Sequence, residues 1–384
     1  MAHRLIICSA LSGGESRIKN IALSDDIKAT VGCVKGIGAQ CSVSGGEMII
    51  SGTENISVTE ELYCGESAST LRFILPICLT KDNNIKFTGS PRLFERPLDE
   101  YEKLFRSAGI DYVRGRDFFS VSGCLRAGEY TVSGSVSSQY ISGLLFALPL
   151  LEGDSVIKVR EPFVSESYVD MTLDALAVFG IEIKREDRLT FVIKGGQKYK
   201  PADTVCEGDF SNSAFFRAMR FIGGNVKVTG LDGRSRQGDR VYEKLFSALS
   251  CGTPEIDVSD CIDLAPLLFS VAALSNGAVF TGTERLRYKE SDRAEAMRDE
   301  LSKFGVKMAV KDNSVRVFAG EILPPKEETD SHGDHRIFMA VSLLLLRTGG
   351  VIKNAECINK SFPDFFEKTG RLNVKGDILN EYDI

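Results

Sequence analysis

A loose internal repeat constrains the fold of this chain more than any other feature. Six times, a cluster of small polar residues opens an apolar segment that closes on Gly or Asn. The six are AHRLIICSALSGG from Ala2, SASTLRFILPICLTKDN from Ser67, SSQYISGLLFALPLLEG from Ser137, SNSAFFRAMRFIGG from Ser211, DLAPLLFSVAALSNG from Asp263 and DHRIFMAVSLLLLRTGG from Asp334. Ser, Asp and Asn accept hydrogen bonds from the free amides of a helix's first turn, and Gly makes the left-handed turn that ends one. The segments are apolar on nearly every side, which predicts helices buried all round. After each comes a short strand such as SVIKV or AVFTG, then a second, amphipathic helix. Examples of the latter are SDDIKATVGCVKGIG, RPLDEYEKLFRSAG, SYVDMTLDALAVFG and ESDRAEAMRDELSKFG. Strand pairs like DRLTFVIKG complete a β-α-β-α-β-β unit.

A chain of 384 residues is too long for one core, so three units per domain are expected, with the boundary where EGD opens the fourth. The predicted fold is α/β with α+β repeats: an N-terminal domain over 1–206 and a C-terminal domain over 207–384. Buried helices whose polar N-termini meet at one interface concentrate partial positive charge there, and so prepare an anion site. The net charge of −6 argues against nucleic acid as a partner but leaves room for a cationic cleft in an acidic shell. Ten cysteines without a CxxC pair suggest free thiols in a reducing compartment. The longest apolar run, Ile337 to Leu346, is about half of what a bilayer crossing needs, so a cytoplasmic protein with no membrane partner is expected. The three histidines, His3, His332 and His335, have no zinc-like spacing, and no Walker or dinucleotide fingerprint occurs. Neither metal nor cofactor is expected.

Six stretches carry a resemblance: GESASTLRF (65–73), PRLFERP (91–97), SGSVSSQ (133–139), RYKESDR (287–293), GDHR (333–336) and NKSFPDFF (359–366). In this order and spacing they resemble the signature set of the EPSP synthase family of enolpyruvyl transferases. That family joins phosphoenolpyruvate to shikimate 3-phosphate, in the pathway to chorismate and the aromatic amino acids. The resemblance implies a two-domain inside-out α/β barrel, each domain with three units around buried helices, acting as a monomer without cofactor. Both substrates carry a phosphate and a carboxylate, and guanidinium groups suit such anions because they stay charged and grip two oxygens at once. By resemblance, Ala68, Arg72, Arg96, Gln139, Arg293, Arg336 and Lys360 line the phosphoenolpyruvate site. Arg4 matches the arginine for the shikimate carboxylate. Ser137, Ser138 and Ser165 match the hydroxyls that hold the shikimate phosphate, and Gln139 and Tyr168 those that touch its ring. Asp263 matches the proposed base for the 5-hydroxyl, Glu290 the proposed donor of the methylene proton, and Lys289 a cation beside the transferring oxygen. Asp263 and Lys289 also count among the contacts to shikimate 3-phosphate. His335 is expected to support the phosphate site. A related family, the UDP-N-acetylglucosamine enolpyruvyl transferases, carries a catalytic cysteine where this chain reads PRLFERP.

The chain departs from the family pattern in three places. The family sets Lys-Ser before the arginine, on a loop after an opening strand, whereas Met1 here stands only three residues before Arg4. The expectation is an upstream start that restores both. Without them catalysis should be feeble, leaving a protein that merely binds shikimate phosphate, with the C-terminal sheet short of a strand. Ala68 stands where the family usually has glycine, and its methyl predicts weaker inhibition by glyphosate, which occupies the phosphoenolpyruvate pocket. Glu66 replaces a common asparagine.

Overall fold

All six apolar segments are helices: Ala2–Ala10, Ala68–Cys78, Gln139–Ala147, Phe210–Ala218, Ala265–Ala273 and His335–Thr348. The structure, a computed structural model, describes residues 1–372. Every residue of Ala265–Ala273 is buried, and in Gln139–Ala147 and Ala68–Cys78 only Gln139 and Ser69 escape. Each helix with no polar face is thus enclosed by the amphipathic ones, Asp25–Gly36, Asp99–Ala108, Glu166–Val178, Tyr242–Cys251 and Arg293–Lys303, and by sheets. The buried apolar side chains form two clusters, one running from Leu5 to Cys206 and the other from Phe210 to Phe365. No helix among the described residues is long and apolar enough to cross a membrane.

Four sheets share one topology, a parallel pair extended on one side by two antiparallel strands. In the second unit Glu61–Tyr63 runs parallel to Asn83–Thr88, which pairs antiparallel with Phe118–Gly123, followed by Asp111–Arg114. Ser155–Arg160 and Gly277–Thr281, the strands foreseen as SVIKV and AVFTG, hold the matching second place in their sheets. In the first sheet the parallel partner of Glu15–Lys19 is Thr204–Val205, from the far end of the third unit. That pairing closes the first three units into a ring.

The last three units are less regular than the repeat predicts. Val226 to Thr229 alternates like a strand, yet it pairs with none among the described residues. The sixth unit contributes only the short parallel pair Thr329–Asp330 and Ile352–Lys353. The reason is physical: alternation supplies a face to bury, but a strand also needs a neighbour for its amides and carbonyls.

One device recurs in both halves. Glu100 accepts hydrogen bonds from Lys103 Nζ (2.8 Å) and from the Ser133 amide of the next unit's strand (2.7 Å). Glu300 likewise accepts from Lys303 Nζ (3.0 Å), the Asp330 amide (2.9 Å) and His332 Nε2 (2.9 Å). A buried carboxylate thus fastens the second helix of one unit to the first strand of the next. Burial pushes Glu300 up, but the bonds from His332 and Asp330 and the Lys303 ammonium outweigh it and hold the carboxyl below its ordinary 4.5. A carboxyl held down in the folded state adds stability above its unfolded pKa and loses it as pH falls through the folded one. Glu300→Gln should therefore cost about 1–3 kcal/mol in urea unfolding at neutral pH. The gap to the wild type should narrow as pH falls below 4.5, and a gap indifferent to pH would refute the assignment.

Candidate active site

Packing in the first half sets where its cations stand. Pro76 lies inside the Ala68–Cys78 helix and has no amide for the carbonyl four residues back, that of Arg72. The Tyr101 hydroxyl donates to this carbonyl instead, at 2.6 Å. Gly143 of the neighbouring buried helix lies so close that an added Cβ would sit 2.2 Å from both the Arg72 carbonyl and the Tyr101 hydroxyl. Two buried helices thereby meet at fixed distance. Their N-terminal polar residues then find each other: Arg72 Nη1 donates to Gln139 Oε1 (2.7 Å), and Gln139 Nε2 donates to Ser69 Oγ (2.8 Å). Arg72 Nη2 donates to the Pro97 carbonyl (2.6 Å), next to Arg96.

The second half supplies the counterpart, organised by Arg293, whose side chain is 1% exposed. Its Nε lies 2.8 Å from Asp334 Oδ2, Nη1 2.8 Å from Asp263 Oδ1, and Nη2 2.8 Å from Glu290 Oε2. Asp334 is itself the N-cap of the His335–Thr348 helix and accepts from the Arg336 amide. Lys289 Nζ reaches Asp263 Oδ1 at 2.8 Å. Asp263 stands in the 3-10 turn Ile262–Leu264, just before the Ala265–Ala273 helix that the sequence had it heading.

Charged groups join the halves. Arg96 Nη1 lies 3.4 Å from Glu290 Oε1, and Lys360 Nζ lies 3.1 Å from Glu66 Oε2. Arg92 donates across the gap to the backbone carbonyls of Lys289 (3.0 Å) and Glu290 (3.0 Å). Ser165, with left-handed backbone at φ 56°, donates its amide to Asp260 Oδ1 (2.7 Å), and its hydroxyl accepts from both Nη atoms of Arg285 (3.2 Å each). Buried Arg72 and Arg96 and half-buried Arg336 each keep a buried Nε–H without a partner among the described residues, and His335 Nδ1 has none there either. Unpaired buried donors cost roughly 1–3 kcal/mol each, and an incoming anion relieves that cost.

The electrostatics separate the titratable groups. Burial would raise Asp263, but Lys289, Arg293 and Arg336 hold it well below the carboxylate range. Burial would likewise raise Glu290, and Arg96, Arg293 and Lys360 overcome it. Burial, with Arg336 beside it, pushes His335 down to about 3, so its imidazole is neutral. Burial and then the Arg293 guanidinium lower Lys289, against the pull of Asp263.

Of the residues picked from sequence, Arg96, Asp263, Lys289, Glu290, Arg293 and Lys360 belong to one ion-paired network, and Arg72 and Gln139 form a separate pair anchored on the Pro97 carbonyl beside Arg96. Arg336 sits beside the network, with Nη1 on Asn212 Oδ1 at 3.1 Å. Arg293 organises this network, with Nε, Nη1 and Nη2 each donating to a carboxylate. Ser138 is the N-cap of Gln139–Ala147 yet makes no side-chain cap bond, while Ser137 Oγ accepts from the Gln139 amide at 3.3 Å. The other first-turn amides of that helix are left for another acceptor. Ala68, 4% exposed, opens its helix behind the cap Ser67. Tyr168 is raised well above its ordinary value by burial and by Asp239 and Asp263. Arg4 is drawn inward: Nε donates to Thr172 Oγ1 and Nη2 to the Tyr168 carbonyl, each at 2.8 Å, and its guanidinium stacks over Phe73.

Sequence reasoning missed Arg92, Asp239, Asp26 and Arg285. Asp239 is fully buried, accepts from the Ser211 hydroxyl, and is pushed up to about 7 by burial and then by Asp263. Only its place in a QGD turn ahead of a helix distinguishes it in sequence. Arg285 lies two residues before RYKESDR, outside the stretch that was read.

Known proteins resemble this chain in sequence and fold. The family model described as EPSP synthase (3-phosphoshikimate 1-carboxyvinyltransferase) matches residues 1–253 and 247–369. A Clostridium kluyveri protein named 3-phosphoshikimate 1-carboxyvinyltransferase is 39% identical over 389 residues, covering 96% of this chain and 91% of its own. A protein of the same name from Clostridium acetobutylicum is 40% identical, covering 98% and 93%. Among solved structures, EPSP synthase from Acinetobacter baumannii superposes with TM-score 0.76 at 25% identity, over 97% of this chain and 93% of that one. An enolpyruvyl transferase from Streptomyces tendae shares the fold, with TM-score 0.71 at 15% identity, over 97% and 93%.

Arg293 answers three carboxylates, which a lysine's single ammonium cannot do with the same geometry. Arg293→Lys should lower unfolding free energy by about 3–5 kcal/mol, the cost of stranding buried charges. Urea denaturation checks this, and a loss under about 1 kcal/mol would show the hub to be dispensable.

Proposed function

The chain belongs to the EPSP synthase family and transfers the enolpyruvyl group of phosphoenolpyruvate to shikimate 3-phosphate, and we propose that the network joining its halves carries out that transfer. In this reading 1–206 and 207–384 are the two domains, and the protein is a cytoplasmic monomer. The observation that carries it is the placement of cations with unspent donors, Arg96 and Arg336, beside two carboxylates held in their ionised form.

Shikimate 3-phosphate lies against the first half. Its phosphate takes the hydroxyls of Ser137, Ser138 and Ser165 and the free amides of the Gln139–Ala147 helix. Gln139 and Tyr168 flank its ring, and Arg4 meets its carboxylate. Phosphoenolpyruvate lies beyond it, beside Ala68 and Gln139, with Arg72, Arg96, Arg336 and Lys360 around its charges and Arg293 behind them. His335, neutral, supports the phosphate as a hydrogen-bonding group.

Asp263 is ionised and so is ready to accept a proton. As the 5-oxygen attacks C2 of phosphoenolpyruvate, its proton passes to Asp263 while Lys289 steadies the charge on that oxygen. Glu290 delivers a proton to the methylene C3. In the empty site the surrounding cations hold Glu290 deprotonated, which is wrong for a donor. The substrate's carboxylate and phosphate neutralise those cations, and Glu290's proton affinity rises accordingly. The tetrahedral adduct then breaks its C2–O bond to phosphate. Phosphate leaves with the electron pair and takes the proton from Asp263, and Glu290 recovers a proton from the new methyl group. Every proton is returned.

Mixing both substrates with the protein and following phosphate tests the reading. Turnover should release phosphate in step with the enol ether product, whereas a chain that only bound shikimate phosphate would release none. Asp263→Asn removes the acceptor and should lower kcat about 10²–10⁴-fold. A loss under tenfold would move the base elsewhere. Ala68→Gly should tighten glyphosate inhibition about tenfold, as expected for relieving a crowded methyl. Unchanged inhibition would acquit the methyl.

A further inference from the structure

Lys360 has more counter-charge than it needs. Its ammonium, on a residue 6% exposed, lies 3.1 Å from Glu66 Oε2, 3.7 Å from Glu290 Oε1 and 3.8 Å from Asp26 Oδ1, and it also donates to the Glu66 carbonyl at 3.2 Å. Three carboxylates around one cation repel one another. Asp26 shows the strain, pushed up to about 6 by burial and by Glu290 against the pull of Lys360.

The three acids are not equally bound to their places. Glu290 is gripped by Arg293 and Arg96. Asp26 sits in the first turn of Asp25–Gly36, at the positive end of that helix. Glu66 has no bond partner but Lys360 among the described residues, and its side chain is 45% exposed. It borders an open cleft of about 870 Å³ between the halves, whose lining includes Gly65, Asp26, Lys28 and Cys357, with Lys360 at the wall. A carboxylate released there passes straight into water, so its departure costs little solvation.

We propose that Glu66 is a displaceable counterion: it occupies Lys360 in the empty enzyme and swings into the cleft when phosphoenolpyruvate brings its own charge. The inference rests on the reading of Lys360 as a ligand of that substrate. Glu66 is then a positioning residue. It keeps the lysine aimed and neutralised before binding, and the broken pair is subtracted from substrate affinity. Nothing in the later proton transfers passes through it, so its effect falls on KM and not on kcat.

Glu66→Gln keeps the shape and removes the charge, and Glu66→Asp withdraws the carboxylate from reach. Either should lower the KM for phosphoenolpyruvate about fivefold, the scale of a half-exposed ion pair, with kcat within about twofold and the KM for shikimate 3-phosphate unmoved. Lys360→Met is measured alongside and should raise the KM for phosphoenolpyruvate at least about tenfold. If Lys360→Met raises it while both Glu66 variants leave it unchanged, the counterion role is overturned and the reading of Lys360 stands. If Lys360→Met leaves it unchanged, the reading of Lys360 falls and the inference with it. A rise in the Glu66 variants overturns the inference too, making the pair a brace that the substrate needs.

Discussion

The arrangement depends on one guanidinium enclosed among three carboxylates. Arg293 is effectively dry, and each of its bonds to Asp263, Glu290 and Asp334 fixes a residue from a different element. A charge so far from water persists only if its partners are complete, so the group cannot move unless all three acids move with it. The turn before one buried helix, the cap of another and the start of the Arg293–Lys303 helix are thereby held in mutual register. Asp263 and Glu290 consequently face the gap in defined positions, set first by their own half.

The opposite half arrives with positive charge and binds that surface through exposed backbone and carboxylates. Arg92 clasps carbonyls of the Lys289–Glu290 segment, and Arg96 touches Glu290 itself. Contacts of this kind are replaceable: a carboxylate on the protein and a carboxylate or phosphate on a substrate offer an arginine the same geometry. The halves can therefore be held together by their own acids when empty and by ligand charges when filled. Such exchange keeps cations compact and aligned in a site that would otherwise repel itself apart.

The sequence was most informative where the causes are local. Runs with no polar side, most opened by Ser or Asp and closed by Gly, had to be helices, and all six are, three of them buried along nearly their whole length. Arg96 and Arg336 were singled out because PRLFERP and GDHR resemble the family's stretches. Partners two hundred residues away were not legible, since nothing in PRLFERP says that Arg92 will meet the carbonyls of Lys289 and Glu290. Asp239 escaped because burial, not its neighbours in sequence, makes it unusual. The reverse error came at Val226 to Thr229, where a local pattern had no neighbour to complete it. Arg293 was legible as a cation, and only the fold shows that it pairs with three carboxylates at once.

The contact of Pro76, Tyr101 and Gly143 has a consequence for how the interior can vary. A proline freed the Arg72 carbonyl, a phenol captured it, and a glycine made room for both. The three lie in a region that ordinarily tolerates any well-fitting hydrocarbon, but here the spacing they set is inherited by a charge-bearing side chain at the rim. Drift in this core would register as altered chemistry before it registered as a weaker fold. Selection on the reaction therefore reaches inward to positions that no substrate touches.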